Sequence, residues 1–179
     1  ILAMANPTLL MTANTTTTVF AVDRSASVEK TEGEVQNFLQ EAQQAKENRD
    51  QLGLVSFGKR AGVELTPDKD TNVTAGFLSL VDKGGSSLEN ALRLSASLLP
   101  DGTAKRIVLL SDGNETEGNA LQQARALAAQ GITVDVYPLV SEEQPEVQLT
   151  KLELAEVINI NSRYELALSL IHISEPTRH

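Results

Sequence analysis

An aspartate and two serines at alternate positions, Asp23, Ser25 and Ser27, are the first residues of the chain whose spacing could do chemistry. They directly follow residues 19–22, a short apolar run typical of a strand buried on both faces. One carboxylate and two hydroxyls in one loop are oxygen ligands that suit a hard cation such as magnesium. The loop is therefore a candidate metal site.

Two further loops carry matching oxygen groups. Residues 107–110 form a second buried run, which is followed closely by Asp112. Ser86 opens an amphipathic helix behind two glycines, which let the backbone come close to a ligand. Ligands of open parallel sheets bind outside the carboxyl ends of the strands. We therefore expect Asp23 and Asp112 to share one crevice if their strands are neighbours.

Each group also has a purely structural interpretation. Asp23 and Ser25 could cap the helix that follows them, and Ser86 with Glu89 fits the capping box S-x-x-E. Asp112 begins an ordinary Asp-Gly turn. Capping explains each group alone, but it does not explain why all of them fall at the carboxyl ends of a parallel sheet.

The elements that must position these loops lie within residues 14–140, where buried strands alternate with amphipathic helices. This alternation predicts an α/β fold with a Rossmann-like, doubly wound, mainly parallel sheet and one antiparallel edge strand. Gly131 is expected to end the last helix as a left-handed cap. The predicted strands are residues 19–22, 52–57, 61–65, 107–110 and 132–139; the predicted helices are residues 28–48 and 71–81, one with core positions from 88 to 99, and one whose apolar stripe includes Leu121, Leu127 and Ala128.

Composition excludes several functional classes. Fifteen Lys and Arg against 24 Asp and Glu give a net charge of −9, which repels phosphate backbones, so no nucleic-acid partner is expected. The chain has no Cys, which excludes a thiolate zinc site and a cysteine nucleophile. Both histidines, His172 and His179, lie near the end of the chain. Glu115 and Glu117 are interpreted as a solvated rim and an acidic first helix turn rather than as ligands.

Together, the three loops resemble the metal-ion-dependent adhesion site of the von Willebrand factor A (vWA) family, in its bacterial membrane-associated form. In that family, a DxSxS motif, a Thr from a second loop and an Asp from a third hold one divalent cation. A serine replaces the Thr here, and the sequence leaves open whether Ser86 or Ser87 faces the metal. The resemblance implies the ligands Asp23, Ser25, Ser27, Ser86 and Asp112.

The same resemblance implies a function. A bound Mg²⁺, or Mn²⁺ or Ca²⁺, would keep one coordination position open for an acidic side chain of a protein partner. The chain would then be a cation-dependent protein-binding module, without catalysis, of a larger membrane-anchored bacterial protein. The side of the membrane stays open.

An enzyme of phosphoryl chemistry on a similar α/β sheet is the alternative. Asp23 would be its nucleophile, and the glycine-rich loop would hold phosphate. Ser25 disfavours this alternative, because phosphatases of that kind place a second Asp two residues after the first.

The segments flanking the domain have different interpretations. Residues 1–13 are an apolar lead, either the end of an upstream membrane segment or a strand that packs on the domain. Residues 141–167 are expected to be a linker and the first strands of a truncated β-rich domain. Residues 168–178 read LSLIHISEPTR, which matches the translation of a transposase adapter used in sequencing libraries, so we interpret residues 168–179 as an adapter-derived tail.

We predict that deleting residues 168–179 leaves the thermal unfolding midpoint unchanged, because adapter-encoded residues were never selected to pack. The measurement compares melts of the full chain and of a chain ending at Ala167. A clear fall in the midpoint would show that the tail is native.

Overall fold

The computed structural model describes residues 15–140, 147–153 and 167–172. The chain divides into two compact units, Ile1–Ser141 and Glu142–His179. The described part of the first unit contains five strands, three α-helices and two short 3₁₀ turns. The strands are β1 (Thr16–Asp23), β2 (Gln51–Phe57), β3 (Ala61–Asp68), β4 (Ala104–Ser111) and β5 (Ile132–Pro138); the helices are α1 (Glu32–Ala45), α2 (Leu88–Ser97) and α3 (Ala120–Ala129); and the 3₁₀ turns are Ala26–Thr31 and Val73–Ala75.

The five strands form one sheet in the order β3-β2-β1-β4-β5. β2 and β3 pair antiparallel at one edge, and every other pair in this sheet is parallel. The predicted fold class is confirmed, including the antiparallel edge strand. Because Val22 of β1 pairs with Leu110 of β4, the residues after these two strands emerge side by side. The sheet therefore brings the two acidic loops to one edge.

Helices cover both faces of the sheet. On one face, α1 packs through Val35 and Leu39 against alternate residues of the central strands, including Phe20 and Leu110. Burying each such side chain stabilises the fold by roughly 1.5–3 kcal/mol. On the other face, the core is formed by Val19, Val55, Leu92, Leu99, Ile107, Leu127 and Ile132.

The prediction of one continuous helix over residues 28–48 was wrong at both ends. The segment begins as a 3₁₀ turn, Ala26–Thr31, in which the Thr31 hydroxyl donates to the Val28 carbonyl over 2.8 Å. The α-helix ends at Ala45 because Lys46 adopts an extended conformation. Side-chain bonding to a nearby carbonyl competes with the regular helical ladder.

The predicted helix over residues 71–81 was also wrong, because only the 3₁₀ turn Val73–Ala75 forms there. Gly76 has a φ of 91°, which leaves the helical region. The Glu64 carboxylate then accepts hydrogen bonds from the amides of Leu78 and Ser79 at 3.0 and 3.1 Å, which ties this segment to β3. Burial raises the pKa of Glu64, but these bonds and one from Ser56 outweigh it, and the pKa lies below its ordinary value.

The apolar stripe of α3 is narrower than the sequence predicts. Leu127 is buried, whereas Leu121 is 62% exposed and Ala128 also faces solvent. Ala120 and Ala124 complete the contact with the sheet. Gly131 has a φ of 76° just beyond the helix, which confirms the predicted left-handed cap.

The described part of the second unit contains two antiparallel strands, β6 (Val147–Glu153) and β7 (Ala167–His172). β6 lies in residues 141–167, the segment predicted to start a β-rich domain. All of β7 except its first residue lies in residues 168–179, the segment interpreted as adapter-derived. The division of the chain at residues 13, 140 and 167 stays a prediction, and residues 1–13 lie outside the described residues. Across the described ranges, no helix is long and apolar enough to cross a membrane.

The hydroxyl of Ser95 on α2 is fully buried and finds no hydrogen-bond partner among the described residues. We predict that Ser95→Ala raises the free energy of unfolding by about 1 kcal/mol, because it removes an unsatisfied polar group and raises helix propensity. Urea denaturation measures the change. Ser97→Ala on the same helix is the control. The exposed Ser97 hydroxyl is bonded to the Leu94 carbonyl, so this substitution should raise the free energy of unfolding less. Equal effects of the two substitutions would contradict the interpretation that the buried, unsatisfied Ser95 hydroxyl destabilises the fold.

Candidate metal centre

Asp23 lies at the carboxyl end of β1, and only 2% of its surface is exposed. Its Oδ1 accepts the backbone N–H of Ser25 at 2.9 Å. Its Oδ2 accepts two hydroxyls, from Ser86 at 2.9 Å and from Ser111 at 2.8 Å. The carboxylate therefore joins three separate loops.

The two serines of the first loop lie together, with 3.1 Å between the Oγ atoms of Ser25 and Ser27. Ser25 precedes the 3₁₀ turn Ala26–Thr31, but its side chain makes no capping bond to it. The loop is held from outside by a bond from the Ala26 amide to the Lys83 carbonyl. The helix-cap interpretation therefore does not account for Ser25.

The second loop contributes Ser86, whose hydroxyl donates to Asp23. The capping box predicted as the alternative does not form, because the Glu89 amide donates to Glu115 Oε1 at 3.1 Å instead of to Ser86. Ser87 precedes α2 and makes no side-chain bond to it. Of the two serines that the sequence left open, Ser86 is the one whose hydroxyl contacts Asp23.

Asp112 is half-buried and immediately follows Ser111. Its two carboxylate oxygens accept the backbone and side-chain N–H groups of Asn114 at 3.0 and 3.1 Å. Gly113 has a φ of 82°, as the turn interpretation requires. The structure thus links Asp23, Ser25 and Ser86 by direct hydrogen bonds and joins Ser27 to Ser25, while the Asp112 carboxylate is engaged within its own loop.

One residue at the site could not be predicted from the sequence. Ser111 is the last residue of β4 and is 1% exposed, and its contact with Asp23 could have been foreseen only from the pairing of β1 with β4. Glu115, predicted to belong to a solvated rim and an acidic first helix turn, is half-buried and bonded at the start of α3. Its Oε1 binds the Glu89 amide and its Oε2 binds the Ala120 amide at 2.8 Å, so it joins the starts of α2 and α3.

The charge of Asp23 has no counterpart among the residues that the structure describes. No Lys, Arg or His within the described ranges lies within ion-pair distance of its carboxylate. Lys83 instead pairs with Glu29 at 2.6 Å, and this hydrogen bond lowers the pKa of Glu29. Arg24 packs over the ring of Phe77, 4.7 Å from its centroid. Buried charges in proteins are usually paired or bound to a metal.

The described residues contain no group of three or more His, Asp or Glu side chains placed to hold a metal ion. Three of the five residues predicted as ligands are serines, however, and a serine binds a metal ion through its hydroxyl oxygen. Any cation held here would depend on two carboxylates and on neutral oxygens.

Residues 18–115 match the von Willebrand factor type A domain family, and this match spans more than half of the 179 residues. The chain belongs to this family. No curated protein sequence matches the chain.

Solved structures share the vWA fold. An aerotolerance-related membrane protein from Bacteroides fragilis has 20% identity and a TM-score of 0.63 over 87% of this chain and 81% of its own. The conserved hypothetical protein BatB from Bacteroides thetaiotaomicron has 21% identity and a TM-score of 0.58 over 88% and 80%. Proximal thread matrix protein 1 from the mussel byssus was solved with zinc in its metal-ion-dependent adhesion site (MIDAS) motif. It has 17% identity and a TM-score of 0.57 over 69% of this chain and 35% of its own.

We predict that Ser111→Ala lowers the free energy of unfolding of the vWA domain by about 1–2 kcal/mol. The substitution removes a hydroxyl that donates to the buried Asp23 carboxylate and accepts the Gly113 amide at 3.1 Å. Urea denaturation in chelator measures the loss without any contribution from cations. Unchanged stability would contradict the role of Ser111 as a donor to Asp23.

Proposed function

We propose that this vWA domain is a divalent-cation-dependent protein-binding module. A single Mg²⁺, or Mn²⁺ or Ca²⁺, is held at the carboxyl ends of the parallel strands and binds an acidic side chain of a protein partner. The observation that carries the proposal is the buried Asp23 carboxylate, which accepts three hydrogen bonds and has no ion-pair partner in the described part of the chain. A cation supplies the missing positive charge.

The chemistry of the donor set fits such a cation. The proposed ligands present only oxygen atoms, which hard divalent cations prefer. Two carboxylates offset the charge of the metal, and the remaining donors are neutral hydroxyls. Asp112 accepts two hydrogen bonds from Asn114, and its two carboxylate oxygens keep further lone pairs that can bind a metal. The proposed ligands are Asp23, Ser25, Ser27, Ser86 and Asp112.

The acidic partner follows from the resemblance to the vWA family, in which one coordination position of the cation accepts a carboxylate of the partner. Two carboxylates and three hydroxyls of this chain would supply five oxygen ligands. A partner carboxylate would add one more oxygen, the ligand type that hard cations take. The net charge of −9 disfavours nucleic acid as the partner.

The whole protein is proposed to be membrane-anchored, with the vWA domain outside the bilayer. Support comes from the fold shared with an aerotolerance-related membrane protein. The zinc-occupied MIDAS motif of the mussel protein supports divalent-cation binding by this fold. vWA domains are generally interaction modules without catalytic activity, and we propose the same for this one.

The cation site is tested by isothermal titration calorimetry on the full chain, after chelator treatment, with MgCl₂ and MnCl₂. We predict binding by wild type and no binding by Asp23→Ala. Ser86→Ala should weaken binding because a hydroxyl ligand is lost, and Ser86→Thr should restore it. Ser87→Ala is the matched control, because the hydroxyl removed is that of the neighbouring serine.

The results separate several outcomes. Identical heats from wild type and Asp23→Ala with both cations would disprove the metal site. A loss of binding in Ser87→Ala but not in Ser86→Ala would move the second-loop ligand to Ser87. Release of phosphate from phosphate esters by wild type, abolished in Asp23→Asn, would replace the binding module with the phosphoryl-transfer alternative.

A further inference from the structure

The loop that carries Ser86 is bound to the loop between β4 and α3 by a side chain that is not a proposed ligand. The Thr116 hydroxyl accepts the Ser86 amide at 2.9 Å and donates to the Ser86 carbonyl at 3.0 Å. The Thr116 amide donates to the same carbonyl at 2.9 Å. Thr116 therefore holds both backbone polar groups of Ser86.

Glu115 extends this connection to the two helices. One of its carboxylate oxygens accepts an amide in the first turn of α2, and the other accepts the first amide of α3. Glu89 on α2 reciprocates by accepting the Asn119 amide at 2.8 Å. Carboxylates are stabilised at helix N-termini, where backbone amides are free. The start of each helix is thus tied to the other.

The close approach of the two loops depends on glycine. A Cβ atom on Gly85 would lie 2.9 Å from the Thr116 hydroxyl oxygen. A Cβ atom on Gly118 would lie 2.8 Å from the Glu89 Cβ and 2.9 Å from Glu115 Oε1, at a φ of 111°. The two loops therefore pack without space for a larger residue at either position.

We infer that Thr116, supported by Glu115, is a positioning residue for the metal site. The inference rests on the proposed function. It states that Thr116, in the loop of Asp112, determines the conformation of the loop that carries Ser86. Ser86 can direct its hydroxyl at Asp23 only while its backbone is held, and Thr116 holds it. Because Asp112 belongs to the same loop as Thr116, the hydrogen bonds between Thr116 and Ser86 also link the second proposed ligand loop to the third.

The experiment compares the Mg²⁺ affinities of Thr116→Val and Thr116→Ser, each in the 179-residue chain, by calorimetry. Valine keeps the shape and the backbone bond but loses the hydroxyl, and we expect affinity to fall about tenfold, the usual cost of removing a group that orients a metal ligand. Serine restores the hydroxyl and should bind within about twofold of wild type.

Thr17→Val is the matched control. Like the Thr116 hydroxyl, the Thr17 hydroxyl makes two hydrogen bonds, here to Gln51 and Thr103, but Thr17 is buried and lies at the opposite end of β1 from Asp23. This substitution should lower stability and leave Mg²⁺ affinity unchanged. If Thr116→Val does not fold, Glu115→Gln replaces it, with the same expected fall in affinity because both helices lose the charged cap and one of them also loses its acceptor oxygen.

The outcomes are distinct from those of the proposed function. Wild-type affinity in Thr116→Val, or in Glu115→Gln if that variant is used, overturns the positioning role. Equal weakening in Thr116→Ser and Thr116→Val, or in Thr17→Val and Thr116→Val, also overturns it. Absence of Mg²⁺ binding by wild type instead means that the proposed function fails.

Discussion

The buried carboxylate of Asp23 is the constraint on which the rest of the site depends. Removing a charge from water costs free energy that hydrogen bonds only partly offset. The protein directs a backbone amide and two serine hydroxyls at this one group, from three places in the sequence. All three donors are neutral, so they stabilise the carboxylate without cancelling its charge. A negative site therefore remains at the edge of the sheet.

The sheet makes this convergence possible. Because β1 lies between β2 and β4 with parallel strands on both sides, the end of β1 is surrounded by the ends of its neighbours. Ser111 reaches Asp23 directly from β4. Ser86 must come from farther away, and its loop is positioned by hydrogen bonds to other loops, including those with Thr116 and with the Gly58 carbonyl, rather than by a strand. The second ligand loop is therefore the one most sensitive to its neighbours.

The strands and the antiparallel pair at the sheet edge could be predicted because continuous apolar runs and short polar connections are local patterns. The helices before Ser86 could be predicted less well. In residues 71–81, Gly76 leaves the helical region, and Glu64 from β3 binds the amides of Leu78 and Ser79 and holds the segment in a different conformation. Such a bond joins residues 14 and 15 positions apart in the sequence, and no local pattern contains it.

For the site, the sequence by itself determined the types of donor and the loop that carries each one. Asp23, Ser25 and Ser27 are close in the chain, so their spacing already places them in one loop. Only the tertiary structure decided that Ser86 rather than Ser87 contacts Asp23 and that Ser111 is a third donor. It also made Glu115 a cap shared by two helices. The physical reason is that a loop side chain takes its direction from hydrogen bonds to other loops, and those partners become neighbours only when the sheet has formed.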